Sequence, residues 1–460
     1  MKKTVVINIV GLTENLIGIH TPFISQWRKE GTSRFIKPIL PAVTCAMQAT
    51  YLTGKLPSEH GIVANGWYFK EECEIKFWKQ SNKLIQAPII WDECKKQNPD
   101  FTAANMFWWY NMYSGADYSV TPRPLYPADG RKLPDCYAHP LTLRDKLTEA
   151  LGTFPLFDFW GPRTTIKSSQ WIADASILVD QWHNPTLTFI YLPHLDYNCQ
   201  RHGPNHESVQ TDLKEIDDVV KQLITHYDAN NVEIILLSEY GITSVSNPIH
   251  INRAFRKNNL IAIKEEIGLE MLDAGASKAF AVADHQLAHI YINDKSAYEE
   301  VHQILKTIPG IELIICDADK AKYGFDNDRA GDIIVVADKN SWFTYYYWLD
   351  DAKAPDYART VDIHRKPGYD PVEMFANPEI KMLPLVVAGK LLKKKLGFRY
   401  MMDIIPLDAT LIKGSHGHIP EFNMDWPIFI TKNKNILMPN QIEAIEVKQL
   451  ILQHLQINAN

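Results

Sequence analysis

A threonine placed where a helix begins, with carboxylates delivered by the ends of buried strands, is a combination suited to phosphoryl chemistry. Thr44 opens the run TCAMQATYLT, three residues after Pro41. A helix starting there turns its free N–H groups and the positive end of its dipole toward an anion, while Ala46, Met47, Ala49, Thr50 and Leu52 supply a surface that packs. The same hydroxyl also suits a plain helix cap, the ordinary use of a threonine at such a place. Two apolar runs end in acids: LTFIYL leads into Pro193-His194-Leu195-Asp196, and EIILL leads into Ser238-Glu239-Tyr240-Gly241. An acid just beyond the carboxyl end of a buried strand is where an α/β sheet holds ligands. Imidazoles come from His364 in DIHRKPGYDP, His416 in KGSHGH and the pair Asp284-His285.

The elements that must position these groups are legible from periodicity. Val5 to Val10 reads as a buried parallel strand stopping at Gly11, and residues 209 to 227 read as a helix between the two acid-bearing strands. On that helix Asp212, Glu215 and Asp218 form one face, with Leu213, Ile216, Val219, Val220 and Leu223 on the other. Strand, helix, strand with polar residues after each strand predicts an α/β fold with a doubly wound, mostly parallel sheet flanked by helices, with cap or insertion regions. The expected organisation is a main domain over 1–248 and 350–440, a smaller inserted α+β region over 249–349 and a C-terminal helix over 441–460. Asp117 to Pro140, rich in Pro, Asp and Arg, reads as a long structured loop or cap. Met382 to Arg399 is apolar and then basic, and reads as an amphipathic helix with a solvated face in preference to a membrane anchor.

The chain has 460 residues, 46% apolar and 22% charged, with a net charge of −6, an ordinary globular profile with room for a large α/β core and a smaller region. The apolar run after Lys2-Lys3 is too short for a signal segment or a membrane span, which predicts a cytoplasmic protein. Six cysteines without CxxC spacing indicate neither a zinc knuckle nor a disulfide framework. Slight acidity and the lack of a basic tract outside Lys390 to Arg399 argue against a nucleic-acid polymer as partner, and nothing in the sequence speaks to oligomeric state.

The order of Pro41, Thr44, Thr53-Gly54, Pro57 and His60-Gly61 resembles the nucleophile region of the alkaline phosphatase superfamily, most closely its nucleotide pyrophosphatase/phosphodiesterase branch. Arg329-Ala330-Gly331-Asp332, and Ser415-His416-Gly417 ahead of Pro427 to Ile430, resemble later landmarks of the same superfamily. The resemblance implies an alkaline-phosphatase-like fold, Thr44 as nucleophile and Asn65, twenty-one positions on, as a contact to a phosphoryl oxygen. It also implies divalent metals, usually two. At the threonine-side metal site, however, the first-strand aspartate is replaced by Val10 and the aspartate-histidine pair by Glu239-Tyr240. Valine cannot bind a metal, and tyrosine binds one only after losing its proton. At the other site Asp196 and His416 match, the histidine expected four residues after Asp196 is Gln200, and His364 rivals His416 because Gly368-Tyr369-Asp370 follows it. His285, beside Asp284, is a further imidazole outside the family pattern.

These features predict one divalent ion, zinc or manganese, with Asp196, His416 or His364, His285 and Glu239 as candidate ligands and Glu239 alternatively a base. Arg123, Arg163 or Lys366 are candidates for the positive charge of the lost ion. The expected function is metal-dependent hydrolysis of a small phosphorylated substrate, a phosphate diester or nucleotide-like compound or a phosphonate ester, through Thr44. Val10 and Tyr240 keep open a noncatalytic or repurposed member that binds a phosphorylated ligand or a protein partner, and a rebuilt site turned to isomerase, transferase or lyase chemistry.

Overall fold

The computed structural model describes residues 1–457; of the expected 441–460 helix, Gln441–Glu443 is instead a strand paired to the sheet, Val447–His454 is helical, and the last three residues lie outside the described residues. Its main sheet has nine strands among the described residues. From one edge to the other these are Gln441–Glu443, Thr32–Lys37, Ile428–Thr431, Glu233–Leu237, Thr4–Ile9, Leu187–Leu192, Ala103–Met106, Tyr118–Pro122 and Cys136–His139. The five strands from Glu233–Leu237 through Tyr118–Pro122 are mutually parallel, and the antiparallel pairings lie toward the edges. Thr4–Ile9 and Leu187–Leu192 are buried at every position, as contiguous apolar runs must be when helices cover both faces of a parallel sheet. The helices Lys167–His183 and Glu207–Ala229 supply part of that cover.

A further sequence expectation changes. Asp117 to Pro140 is not purely a loop, because Tyr118–Pro122 and Cys136–His139 within it extend the sheet. Asp212, on the acidic face of the helix Glu207–Ala229, is buried, as is Asp217. Asp217 accepts the backbone N–H groups of Phe23 and Ile24 at 2.9 and 2.8 Å, capping the helix Pro22–Lys29 from a distant element.

A second, antiparallel sheet of four strands, Ala279–Asp284, Leu287–Ile292, Ile333–Ala337 and Ile311–Ile315, has its own apolar core. That core includes Trp342, Phe343 and Tyr345 to Trp348, but also Trp67, Trp109, Tyr357, Tyr369 and Ile405 from outside 249–349. Packing therefore runs across the boundaries drawn at 249 and 349. The tip of its first hairpin, Asp284-His285-Gln286, reaches His416, whose carbonyl accepts the Gln286 N–H at 2.9 Å. His285 takes φ 58 to make this turn, a left-handed conformation that non-glycine residues rarely adopt.

Candidate active site

The strands Thr4–Ile9, Leu187–Leu192 and Glu233–Leu237 are adjacent and parallel, and their carboxyl ends fall together because Asn8 is level with both Tyr191 and Leu237. Val10, Asp196 and Glu239 consequently emerge at one edge. The helix Thr44–Thr53 starts at the same edge, buried at all ten positions. Its N-cap is Val43, and the Thr44 hydroxyl makes no cap; it meets the Tyr240 hydroxyl at 3.1 Å. Tyr240 donates its only proton to Asp196 Oδ1 at 3.2 Å, so Thr44 must donate to Tyr240. The threonine is thus one phenol away from a buried carboxylate.

Each of the three buried acids is met by neutral donors. Asp196 Oδ2 accepts from Gln200 at 2.8 Å, and Gln200 in turn accepts from the Tyr369 hydroxyl at 3.2 Å. Glu239 Oε2 accepts from Asn8 at 2.8 Å and Gln48 at 2.9 Å, while Oε1 has no partner. Asp284 accepts the backbone N–H of Asn65 at 2.7 Å and its amide at 3.0 Å. Burial lifts all three carboxyls against the pull of these hydrogen bonds, Asp196 to about 6, Asp284 to about 7 and Glu239 to about 8.

His416 and His285 lie in a column of rings. Tyr240 stacks on His416 at 3.6 Å, His416 lies 3.7 Å from His285, and His285 stacks on Tyr369 at 3.8 Å between centroids. His416 Nδ1 must donate to the Ala42 carbonyl, 2.7 Å away, since a carbonyl only accepts. The Nε2 lone pair is then buried, unpartnered and 4.0 Å from Asp196 Oδ1. Two electron-rich atoms facing each other out of water call for a proton or a cation between them, and burial holds the His416 imidazole down at about 3. Bonds of about 2.0–2.2 Å to zinc reach across such a gap, and an Nδ1–H held by a carbonyl is how ligating histidines are oriented. Asp196 and His416 therefore fit a single divalent ion.

Among the described residues, the positions beside Thr44 that the resemblance assigns to a second ion are differently filled. Val10 offers no donor atom, and the Tyr240 proton is committed to Asp196. Gln200, at the position of the missing histidine, spends both ends of its amide on Asp196 and Tyr369. Among the described residues, the group of three acids and imidazoles close enough to share an ion is elsewhere: His194, Asp212 and Glu215, between the helices His194–His202 and Glu207–Ala229. There His194 Nε2 lies 2.9 Å from Glu215 and 3.6 Å from Asp212, an arrangement that ties two helices together.

The remaining candidates separate. Asn65 has its acceptor on the Cys45 N–H at 2.9 Å and one amide hydrogen on Asp284, leaving the second hydrogen for a ligand. His364 lies on the wall of the pocket above, where burial, with Lys132 the next cause, lowers it to about 4; this is a cationic environment unlike that of His416. Lys366 is not a pocket cation: it is fully buried between Asp370 at 2.8 Å and Glu373 at 2.9 Å. Arg123 and Arg163 do line the pocket, with Lys79 and Lys132. Its volume is about 930 Å³, Thr44, Asp196 and His416 form part of its lining, and Trp78, Trp109 and Trp160 add aromatic wall. Such a space suits a small organic molecule carrying an anionic group.

Gln48, Asn8 and Tyr369 were not singled out as site residues by sequence reasoning. Gln48 carried a usable signal, an amide one turn after Thr44 on the same face of a helix whose other side chains are apolar, aromatic or hydroxyl-bearing. Asn8, the one amide in TVVINI, carried another. Tyr369 had no local signal of this role.

The Glu239 carboxyl allows a test of this arrangement by stability alone. An acid raised from 4.5 to about 8 keeps its proton in the folded state after the unfolded chain has released it, so stability declines as pH rises through that window and levels off above it. Glu239→Gln imitates the protonated form. In chelator-treated protein its stability relative to wild type is expected to climb between about pH 5 and about pH 9, read by urea unfolding; a pH-independent difference would contradict the assignment.

Comparison with known proteins agrees with this architecture. The family model for type I phosphodiesterase / nucleotide pyrophosphatase matches residues 4–370. An uncharacterized pyrophosphatase/phosphodiesterase of Schizosaccharomyces pombe is 24% identical over 251 residues, covering 52% of this chain and 42% of that protein. The chain thus matches less than half the length of that relative. Among solved structures, murine ectonucleotide pyrophosphatase/phosphodiesterase 5, as an inactive threonine-to-alanine variant with AMP, superposes with a TM-score of 0.58 at 15% identity, over 100% of this chain and 96% of that one. Phosphonoacetate hydrolase from Sinorhizobium meliloti, with phosphonoformate, gives 0.61 at 12% identity over 99% and 96%. At these identities the structural likeness speaks for the fold. The family match spans most of the chain, and with it the protein belongs to the type I phosphodiesterase / nucleotide pyrophosphatase family, a branch of the alkaline phosphatase superfamily.

Proposed function

We propose that this protein hydrolyses a small phosphate diester, nucleotide-like compound or phosphonate ester through Thr44. The observation that carries the reading is the Thr44–Tyr240–Asp196 hydrogen-bond chain at the floor of a roughly 930 Å³ pocket, in which a hydroxyl at a helix start has a directed route for its proton. Thr44 Oγ attacks phosphorus as the bond to the leaving oxygen breaks; the threonine proton passes to Tyr240, whose own proton goes to solvent in the pocket and from there to the leaving oxygen, while Asp196 stays a carboxylate. Water then cleaves the phosphothreonine. The second Asn65 amide hydrogen and the Thr44 and Ala46 N–H groups, left over once the Cys45 N–H is on Asn65, would face the phosphoryl oxygens. Asp196 and His416 would hold a divalent ion, zinc or manganese, whose Lewis acidity withdraws charge from those oxygens. Glu239, protonated at neutral pH and anchored by Asn8 and Gln48, orients the base of the helix. Family membership and the AMP and phosphonoformate of the two structural neighbours support this range of substrates.

The six cysteines form no disulfide, which supports a reducing compartment such as the cytoplasm, and no helix among the described residues is long and apolar enough to cross a membrane. The test is turnover of nitrophenyl phosphates, phosphonates and nucleotide diesters across zinc, manganese, magnesium and iron(II). Asn65→Ala is expected to lower kcat roughly ten- to a thousandfold, the range for one lost transition-state hydrogen bond. Unchanged kcat would remove Asn65 from the mechanism, and no turnover under any metal would transfer the fold to a binding role.

A further inference from the structure

The segment Lys381 to Arg399, KMLPLVVAGKLLKKKLGFR, carries six cations and no acid in a chain whose net charge is −6. The structure makes Leu383–Lys395 a helix and buries none of it. Leu385, Leu392, Leu396 and Phe398 are 62, 56, 63 and 66% exposed. A solvated helix of a globular protein turns its apolar stripe inward, and the sequence-level expectation of a solvated face assumed such a stripe. Here the large apolar side chains stand out beside Lys393, Lys395 and Arg399, which form no ion pair among the described residues. The helix is also placed where it matters, since Val387, Leu391 and Lys394 line the pocket that leads to Thr44. Tyr126 and Phe157, 54 and 40% exposed, line the same pocket.

We propose that this helix lies in the surface of an anionic lipid bilayer, with its apolar side chains among the acyl chains and its lysines at the lipid phosphates, so that the pocket mouth opens toward the membrane. The charge selects the occupant. Lys390 is paired with Asp403, so a second copy meeting the helix through the same patch would set five cations, unpaired among the described residues, against five, whereas an anionic leaflet neutralises them. The length agrees: thirteen helical residues extend about 20 Å, too short to span a bilayer and ample to lie along one. A basic helix bearing Leu and Phe without acids is the composition of an interfacial element. A phosphate ester with an apolar tail would then reach the pocket from the lipid phase. This binding does not depend on the proposed hydrolysis.

Flotation of the full chain with vesicles of phosphatidylcholine alone, and of phosphatidylcholine with about 30% phosphatidylglycerol, tests it. Binding is expected to the anionic vesicles only and to weaken with salt. Lys393→Glu combined with Lys395→Glu should reduce it at least about tenfold. Leu392→Ser combined with Phe398→Ser should do the same without a change of charge, which separates insertion from simple attraction. All four positions are solvent-facing and outside the pocket lining, so turnover of a soluble ester should be unaltered in both variants. Binding to neither vesicle, equal binding to both, or variants that bind as well as wild type would overturn the proposal. A wild-type dimer in sedimentation equilibrium that dissociates in the Leu392/Phe398 variant would also overturn it, assigning the surface to a second copy.

Discussion

Thr44→Ala is expected to reduce hydrolysis by roughly four to six orders of magnitude, the scale of losing a covalent nucleophile, while the protein remains folded. The structural cost is small because Val43, not Thr44, is the helix N-cap, and the substitution removes one side-chain hydrogen bond, to Tyr240. Such a bond is worth about 1 kcal/mol net. Tyr240 keeps Asp196 as its partner, so the buried phenol is not orphaned. Thermal unfolding and metal content measured beside kcat separate the two effects. Turnover within tenfold of wild type would eliminate the phosphothreonine mechanism, whatever the metal content.

The second large effect concerns the ion. We expect native mass spectrometry to find no more than one divalent ion per chain, and Asp196→Asn or His416→Ala to remove it together with at least about a thousandfold of kcat/KM. The reasoning is the asymmetry of the site: an unpartnered His416 nitrogen faces Asp196 across 4.0 Å, while beside Thr44 the corresponding positions hold Val10 and a tyrosine whose proton is committed. Both variants also alter buried polar groups, so circular dichroism must accompany the metal assay. His364→Ala is the control: its surroundings are cationic, and it should retain the ion. Two tightly bound ions in the wild type, or full metal content in both Asp196→Asn and His416→Ala, would show that the ligands lie elsewhere, with His194, Asp212 and Glu215 the next place to look.

What the sequence determined by itself was the part governed by near neighbours. LTFIYL and EIILL could be placed as strands because contiguous apolar residues of that length must be buried, and the structure forms Leu187–Leu192 and Glu233–Leu237 at those positions. Placing acids directly after such strands sufficed to set Asp196 and Glu239 at one edge of a parallel sheet, and TCAMQATYLT with Gly54 after it sufficed for a helix start at Thr44. The losses at Val10, Gln200 and Tyr240 were also readable there.

Tertiary structure alone decided what those replacements do. Tyr240 reads as a lost ligand until it is seen between Thr44 and Asp196, and Gln200 as a lost histidine until its amide is seen joining Asp196 to Tyr369. His364 and His416 were rivals on equal terms in sequence; what distinguishes their places is tertiary, the unpartnered His416 nitrogen facing Asp196 within the ring column of Tyr240, His285 and Tyr369 against the cationic wall around His364. Asn65 and Asp284 meet across 219 positions because a hairpin of the smaller sheet turns its tip into the site. The exposure of Leu392 and Phe398 likewise follows from how little else packs against their helix. Periodicity reports whether a residue is buried, since burial acts on each short segment; which distant groups share that burial is set by the order of strands and the insertion of one hairpin, and no local pattern encodes either.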